Sequence, residues 1–205
     1  MKSAYGRLMV RINEGSLVLI AGRYKDASYE VLKSLLEIFR NKGKVILLLS
    51  DDRWVNRYGV DIEKYFTIWI DSFEEQYLVI NSLQRFFTGP CCNIKCVVFD
   101  NVLYYFLTSP LAFHAGGASE RLLAEQIAML KNIALRHKLY VFLGGCFDKY
   151  RDKPVMWRLF QKYVDLVLKT EYSDENMRLS LLDVELKEME SFDILIERGG
   201  AEDYY

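Results

Sequence analysis

The segment Ser16-Leu17-Val18-Leu19-Ile20-Ala21-Gly22 constrains this chain most. Its unbroken apolar run reads as a strand buried on both faces, and such strands belong to parallel sheets covered by helices. The loop Arg23-Tyr24-Lys25-Asp26-Ala27-Ser28-Tyr29 follows, then a helix with apolar residues at Leu32, Leu35, Leu36 and Phe39. Strand, glycine, tight loop and helix form the frame of the phosphate-binding motif G-x-x-x-x-G-K-[ST]. Laid on that frame, Gly22 takes the first glycine. Ala27, Ser28 and Tyr29 stand where the motif has its second glycine, its lysine and its magnesium-binding hydroxyl.

Each departure removes a physical capability. Alanine at 27 disfavours the curl that aims backbone amides at phosphate oxygens. Serine at 28 lacks the charge that reaches the outer phosphates, and Tyr29 replaces a magnesium ligand. Lys25 brings a charge nearby, without the glycines that would let it fold inward. The expectation is a degenerate nucleotide site with no catalytic residues and no required cofactor, weak Mg-ATP binding being left open.

At 205 residues and 24.0 kDa the chain suits one α/β domain spanning 1–205, and its 51% apolar content fits a well-filled core or an added buried interface. A net charge of −1 excludes a global basic field for nucleic acid, so any attraction must come from local clusters among its 27 Lys and Arg. The longest apolar runs, such as Leu17–Ala21 and Val45–Leu49, are strand-length, and Met1–Arg7 lacks a signal-peptide core. A cytoplasmic protein without a membrane partner is expected, nucleoid association being compatible. Cys91, Cys92, Cys96 and Cys146 read as buried thiols; Cys92-x₃-Cys96 has only His114 and His137 to complete a zinc site, and no metal is expected.

Strand-like and helix-like periods alternate from Ser16 to Leu143, which predicts a mainly parallel central sheet. Lys44–Leu49, Tyr65–Ile70, Cys96–Asp100 and Tyr140–Leu143 are the further strands. Ser72-Phe73-Glu74-Glu75 is a capping box, and Ser119 is the expected N-cap of a helix through His137. Val164–Lys169, Arg178–Leu186 and Phe192–Glu197 predict antiparallel strands at the carboxyl-terminal edge. Ser16–Gly22 and Cys96–Asp100 are expected as neighbouring inner strands.

Asp100 closes an apolar strand in the manner of a Walker B aspartate, and Ser50-Asp51-Asp52 closes another. With these landmarks in order, the chain resembles the RecA/RadA recombinase superfamily, most closely the short archaeal RadB-type paralogues. Asp52 falls near the family's catalytic glutamate. Glu120–Leu143 resembles its "Q-x-x-x-L-x-x-L-A-x-x-x-N-I-x-V-V" segment, and Phe192–Asp203 resembles its terminal "F-x-I-T-x-x-G-I-E-D". Gly144-Gly145-Cys146 stands where the family has T-N-Q, and the family's TG-x-x-x-LD opening is missing.

The resemblance implies a RecA-like P-loop core with a degenerate Walker A loop, marked by Gly22, Lys25, Ser28, Tyr29, Asp52 and Asp100. It implies a pseudo-ATPase with an accessory role in homologous recombination and DNA repair, acting through a recombinase or other protein subunit. The family's DNA-facing loops map onto Tyr104–Ala118, which has aromatics and no Lys or Arg, and Phe147–Met156. The second carries Lys149, Tyr150, Arg151 and Lys153, a basic–aromatic group suited to weak single-stranded DNA contact. Two alternatives stay open: an ATPase with a displaced Lys25 and Asp100 on magnesium, and a KaiC-like regulatory domain unrelated to repair.

Overall fold

In the computed structural model, residues 2–22, 25–56, 58–87, 93–108, 117–148, 150–173 and 176–195 are described, and the structural statements below concern these. The apolar runs become strands where they were expected: β1 (Leu17–Gly22), β2 (Lys44–Leu49), β3 (Phe66–Trp69), β4 (Ile94–Phe99) and β5 (Tyr140–Asp148). The sheet continues through β6 (Lys153–Pro154), β7 (Leu166–Ser173), β8 (Asn176–Leu182) and β9 (Glu188–Leu195). The nine strands run in the order β3-β2-β4-β5-β1-β7-β8-β9, with β6 paired to the end of β5. Every pairing from β3 to β7 is parallel, and β8 and β9 add an antiparallel edge.

The direction of travel decides which face each helix covers. The helix α2 (Lys25–Arg40) carries the chain from β1 across to β2, whereas α4 (Phe73–Phe86) and α6 (Ala118–His137) carry it back to β4 and β5. Parallel crossovers are right-handed, so reversing the direction moves the helix to the opposite face. Accordingly Leu32, Leu36 and Phe39 of α2 share a core with Ile20, Leu47 and Val98, while Ile80 and Ile127 of α4 and α6 share another with Leu19, Leu48 and Val97. Strand residues alternate between the two cores, which is why these strands read as continuous apolar runs.

An amino-terminal helix absent from the sequence reading, α1 (Lys2–Arg11), buries Tyr5 and Leu8 beside the α2 core. The short helices α3 (Arg53–Asn56), α5 (Tyr104–Thr108) and α7 (Trp157–Phe160) complete the fold. No helix among the described residues is long and apolar enough to cross a membrane.

Four expectations are corrected. First, β1 and β4 are inner strands but not neighbours: β5 lies between them, Phe142 pairing with Val18 on one side and Val98 on the other. The α6 crossover advances the chain by one strand position into the gap left by the long α2 crossover. Second, the expected strand Tyr140–Leu143 runs on to Asp148, because Gly144 lets β5 pass close to β4. A Cβ there would lie 1.6 Å from the Asp100 carbonyl oxygen. Third, α6 begins at Ala118 with Gly117 as N-cap at φ 86°, so Ser119 sits inside the first turn. Fourth, the last strands shift to 166–173, 176–182 and 188–195, and the first of them pairs parallel to β1. Half of the Ser72 capping box forms: the Ser72 hydroxyl accepts from the Glu75 amide at 3.0 Å, while the Glu75 carboxylate reaches one residue further back and accepts from the Asp71 amide at 2.7 Å.

Candidate functional site

In an open parallel sheet, ligands bind beyond the carboxyl ends of the strands, where the chain changes direction. Here that edge gathers Gly22 from β1, Ser50 to Asp52 after β2, Asp100 after β4 and Gly144 to Cys146 on β5. Gly22 is paired in register with Cys146 and Thr170. The strand–glycine–helix segment at Gly22 therefore lies at the edge of the sheet where folds of this kind receive ligands.

The expected loop at 23–29 is replaced by helix. Only positions 23 and 24 separate β1 from α2, which starts at Lys25. Ala27, Ser28 and Tyr29 are helical and buried, within the first turns of α2. Ser28, in the motif's lysine position, donates its hydroxyl to the Gly145 carbonyl at 3.4 Å and ties α2 to β5. Lys25 is the first residue of the helix, and its side chain is outside the described set.

Tyr29, in the position of the magnesium-binding hydroxyl, is 3% exposed. Its ring stacks on Tyr58 at 5.0 Å and meets the edge of Trp54 at 5.2 Å, both of them buried. The Arg53 guanidinium covers the ring at 5.6 Å. Such aromatic and cation–π contacts contribute about 0.5–1.5 kcal/mol each beyond burial. Sequence reasoning did not identify Arg53, Trp54 and Tyr58 as parts of this site. The clue was present in Arg53-Trp54-x₃-Tyr58, which puts large planar side chains close behind the Ser50-Asp51-Asp52 strand end.

The acidic residues are engaged too. Asp51 accepts from the Arg53 backbone amide at 2.9 Å and from its Nε at 2.6 Å, with a further bond from the guanidinium. That hydrogen bonding raises the Arg53 pKa above its ordinary value. Asp52 is exposed; its carbonyl accepts from the amides of Val55 and Asn56, and its carboxylate from the Asn56 side chain at 3.1 Å, so it starts α3.

Asp100 is 2% exposed. It accepts from the Ser50 amide at 3.0 Å, the Ser50 hydroxyl at 2.7 Å and the Asn101 amide at 2.6 Å. Burial raises its pKa to about 7, against those three hydrogen bonds, which act to lower it. Asp100 therefore clamps the end of β2 to the end of β4. Among the described residues, no group of His, Cys, Asp and Glu is arranged to hold a metal ion.

The other candidate group lies at the end of β5. Phe147 and Asp148 pair with Pro154 and Lys153, so Phe147–Met156 begins as a β-hairpin. Asp148 caps its turn, accepting from the Tyr150 amide at 2.9 Å, and Asp152 bonds Lys169 at 2.9 Å. Tyr150 is 85% exposed, and Arg151 and Lys153 are exposed beside it. Lys149 lies outside the described residues. The other expected loop begins as α5, in which Phe106 is buried and Tyr105 donates to the Ser50 carbonyl at 3.4 Å; residues 109–116, with Phe113 and His114, lie outside the described set. Neither protein-family models nor curated proteins match this sequence.

Proposed function

We propose that this chain is a non-catalytic paralogue of the RecA/RadA recombinases, RadB-like in kind, with a RecA-like core and a closed nucleotide site. It serves as an accessory subunit in homologous recombination and DNA repair, bound to a recombinase or other protein subunit and holding single-stranded DNA weakly at the β5–β6 hairpin. The observation that carries the non-catalytic reading is Tyr29, helical and enclosed by Tyr58, Trp54 and Arg53 where the motif places its metal-binding hydroxyl. Opening that position for a triphosphate would break an aromatic cluster and the Ser28–Gly145 bond together.

The ordered glycine and acid landmarks at one sheet edge support descent from a nucleotide-binding core. A subunit with a closed site still presents its opposite face to an active neighbour, and this makes a recombinase the first partner to test. Mixing the purified chain with the recombinase of its own cell should give a discrete complex by analytical ultracentrifugation with or without ATP. Failure to associate in either condition would contradict the subunit role.

A further inference from the structure

We infer that one structural water molecule is held between α4 and α6, bridging the side chains of Gln76 and Gln126.

Both helices bury apolar stripes: Ile80 and Leu83 on α4, and Leu123, Ile127 and Leu130 on α6. Gln76 and Gln126 interrupt those stripes one turn before Ile80 and Leu130, and each is 0% exposed. An amide buried in such a place costs stability unless its hydrogen bonds are met. Gln76 Nε2 donates to Gln126 Oε1 at 2.7 Å and to the Val102 carbonyl at 3.1 Å. Gln76 Oε1 and Gln126 Nε2 are then left, fully buried, with no hydrogen-bond partner among the described residues.

The Val102 carbonyl fixes this arrangement. It can only accept, so Gln76 turns its Nε2 toward it, and Gln126 must answer that donor with its Oε1. Turning either amide over would set two acceptors or two donors face to face. The unmet groups are therefore one acceptor and one donor, on amides already in contact, and a bridging water spans about 5–6 Å. Water supplies an O–H to Gln76 Oε1 and accepts the N–H of Gln126. A cation would suit the first group and be repelled by the second, and an anion the reverse. Ile80, Leu123 and Ile127, the buried neighbours along the two stripes, carry no charge that would hold an ion. The bridge ties α4 and α6 to the end of β4, two residues beyond Asp100.

The test is a high-resolution crystal structure of the full chain, with water–protein nuclear Overhauser effects on the Gln126 side-chain amide in solution. One ordered water within about 3.2 Å of both Gln76 Oε1 and Gln126 Nε2 is expected, together with a cross-peak from a long-lived water. Reciprocal pairing of the two amides with no water between them would overturn the inference, and so would a protein side chain occupying the position. Variants give an independent reading. Gln126→Leu removes the bridge and leaves the Gln76 amide short of partners, so it should abolish the cross-peak and lower the melting temperature by about 3–8 °C. Gln76→Leu with Gln126→Leu removes both amides and the water together, and should melt higher than Gln126→Leu alone. A loss in the double variant equal to the sum of the two single losses would show that the amides share no bridge, and would refute the site.

Discussion

The aromatic cluster around Tyr29 and the β5–β6 hairpin that carries Tyr150 both lie beyond carboxyl ends of parallel strands, yet they use charge and aromatic rings in opposite ways. At β1 and β2 the rings are buried, Arg53 is bound to Asp51, and Ser28 is spent on Gly145. At the end of β5 a ring stands 85% exposed, in a hairpin whose Asp148 pairs with Arg151 and whose Asp152 pairs with Lys169, while Lys153 is exposed with no carboxylate partner among the described residues. A polar group already satisfied by the protein has little left for a ligand, whereas an exposed cation keeps its field for a polyanion. The comparison separates a place where side chains are buried and bonded to one another from a place where they are exposed to solvent.

The largest way to disturb the buried side is Gly144→Ala. Its methyl group would meet the Asp100 backbone, so β4 and β5 must separate at the point where Asp100 clamps β2. The expected cost is about 3 kcal/mol or more, lowering the melting temperature by about 6–12 °C for a domain of this size. Thermal melts should show the loss, and a near-neutral result would mean that the strands have room there which the geometry denies.

Tyr29→Thr sharpens the comparison, because it returns a hydroxyl to the motif position while removing the stacked ring. It should destabilise the chain by about 3 kcal/mol through lost burial and aromatic contacts. It should confer no Mg-ATP binding, since α2 still begins at Lys25. Stabilisation of this variant by Mg-ATP in a melting assay would show that the ring alone blocks the site.

A smaller effect follows from Asp100. Its pKa is raised to about 7 in the fold and is near 3.9 in an unfolded chain, so between those values the folded state holds a proton that the unfolded state releases. The stabilisation from this group is therefore complete below about pH 4 and is lost as pH rises through about 7. Asp100→Asn removes the titration while keeping one oxygen to accept from Ser50. Melting temperatures of the two proteins should converge as pH rises from 5 to 8, after an allowance for any constant offset; parallel curves would place the Asp100 pKa near its unfolded value.

Much of the fold was legible because burial on both faces writes continuous apolar runs into a strand, and β1, β2, β4 and the start of β5 lie where those runs predict. The order of the strands was not legible. Whether β5 sits beside β1 or beyond β4 depends on crossover lengths and on Gly144, which are long-range facts. At the site, the motif frame read Ala27, Ser28 and Tyr29 as part of a loop, whereas they are helical and buried. Ala27, Ser28 and Tyr29 are tolerable in helix or loop alike, and what decides for helix is the cluster of Tyr58 and Trp54, more than twenty residues away in sequence.

The most direct measurement is the melting temperature of the unaltered chain in millimolar Mg-ATP, beside Lys25→Ala. The closed-site account predicts that both proteins melt at the same temperature with and without nucleotide. A functional site filled at 100 times its Kd would add about 2.7 kcal/mol, or roughly 5–11 °C. A rise of that size, abolished in Lys25→Ala, would contradict the account and make the chain a nucleotide-binding protein with a displaced lysine.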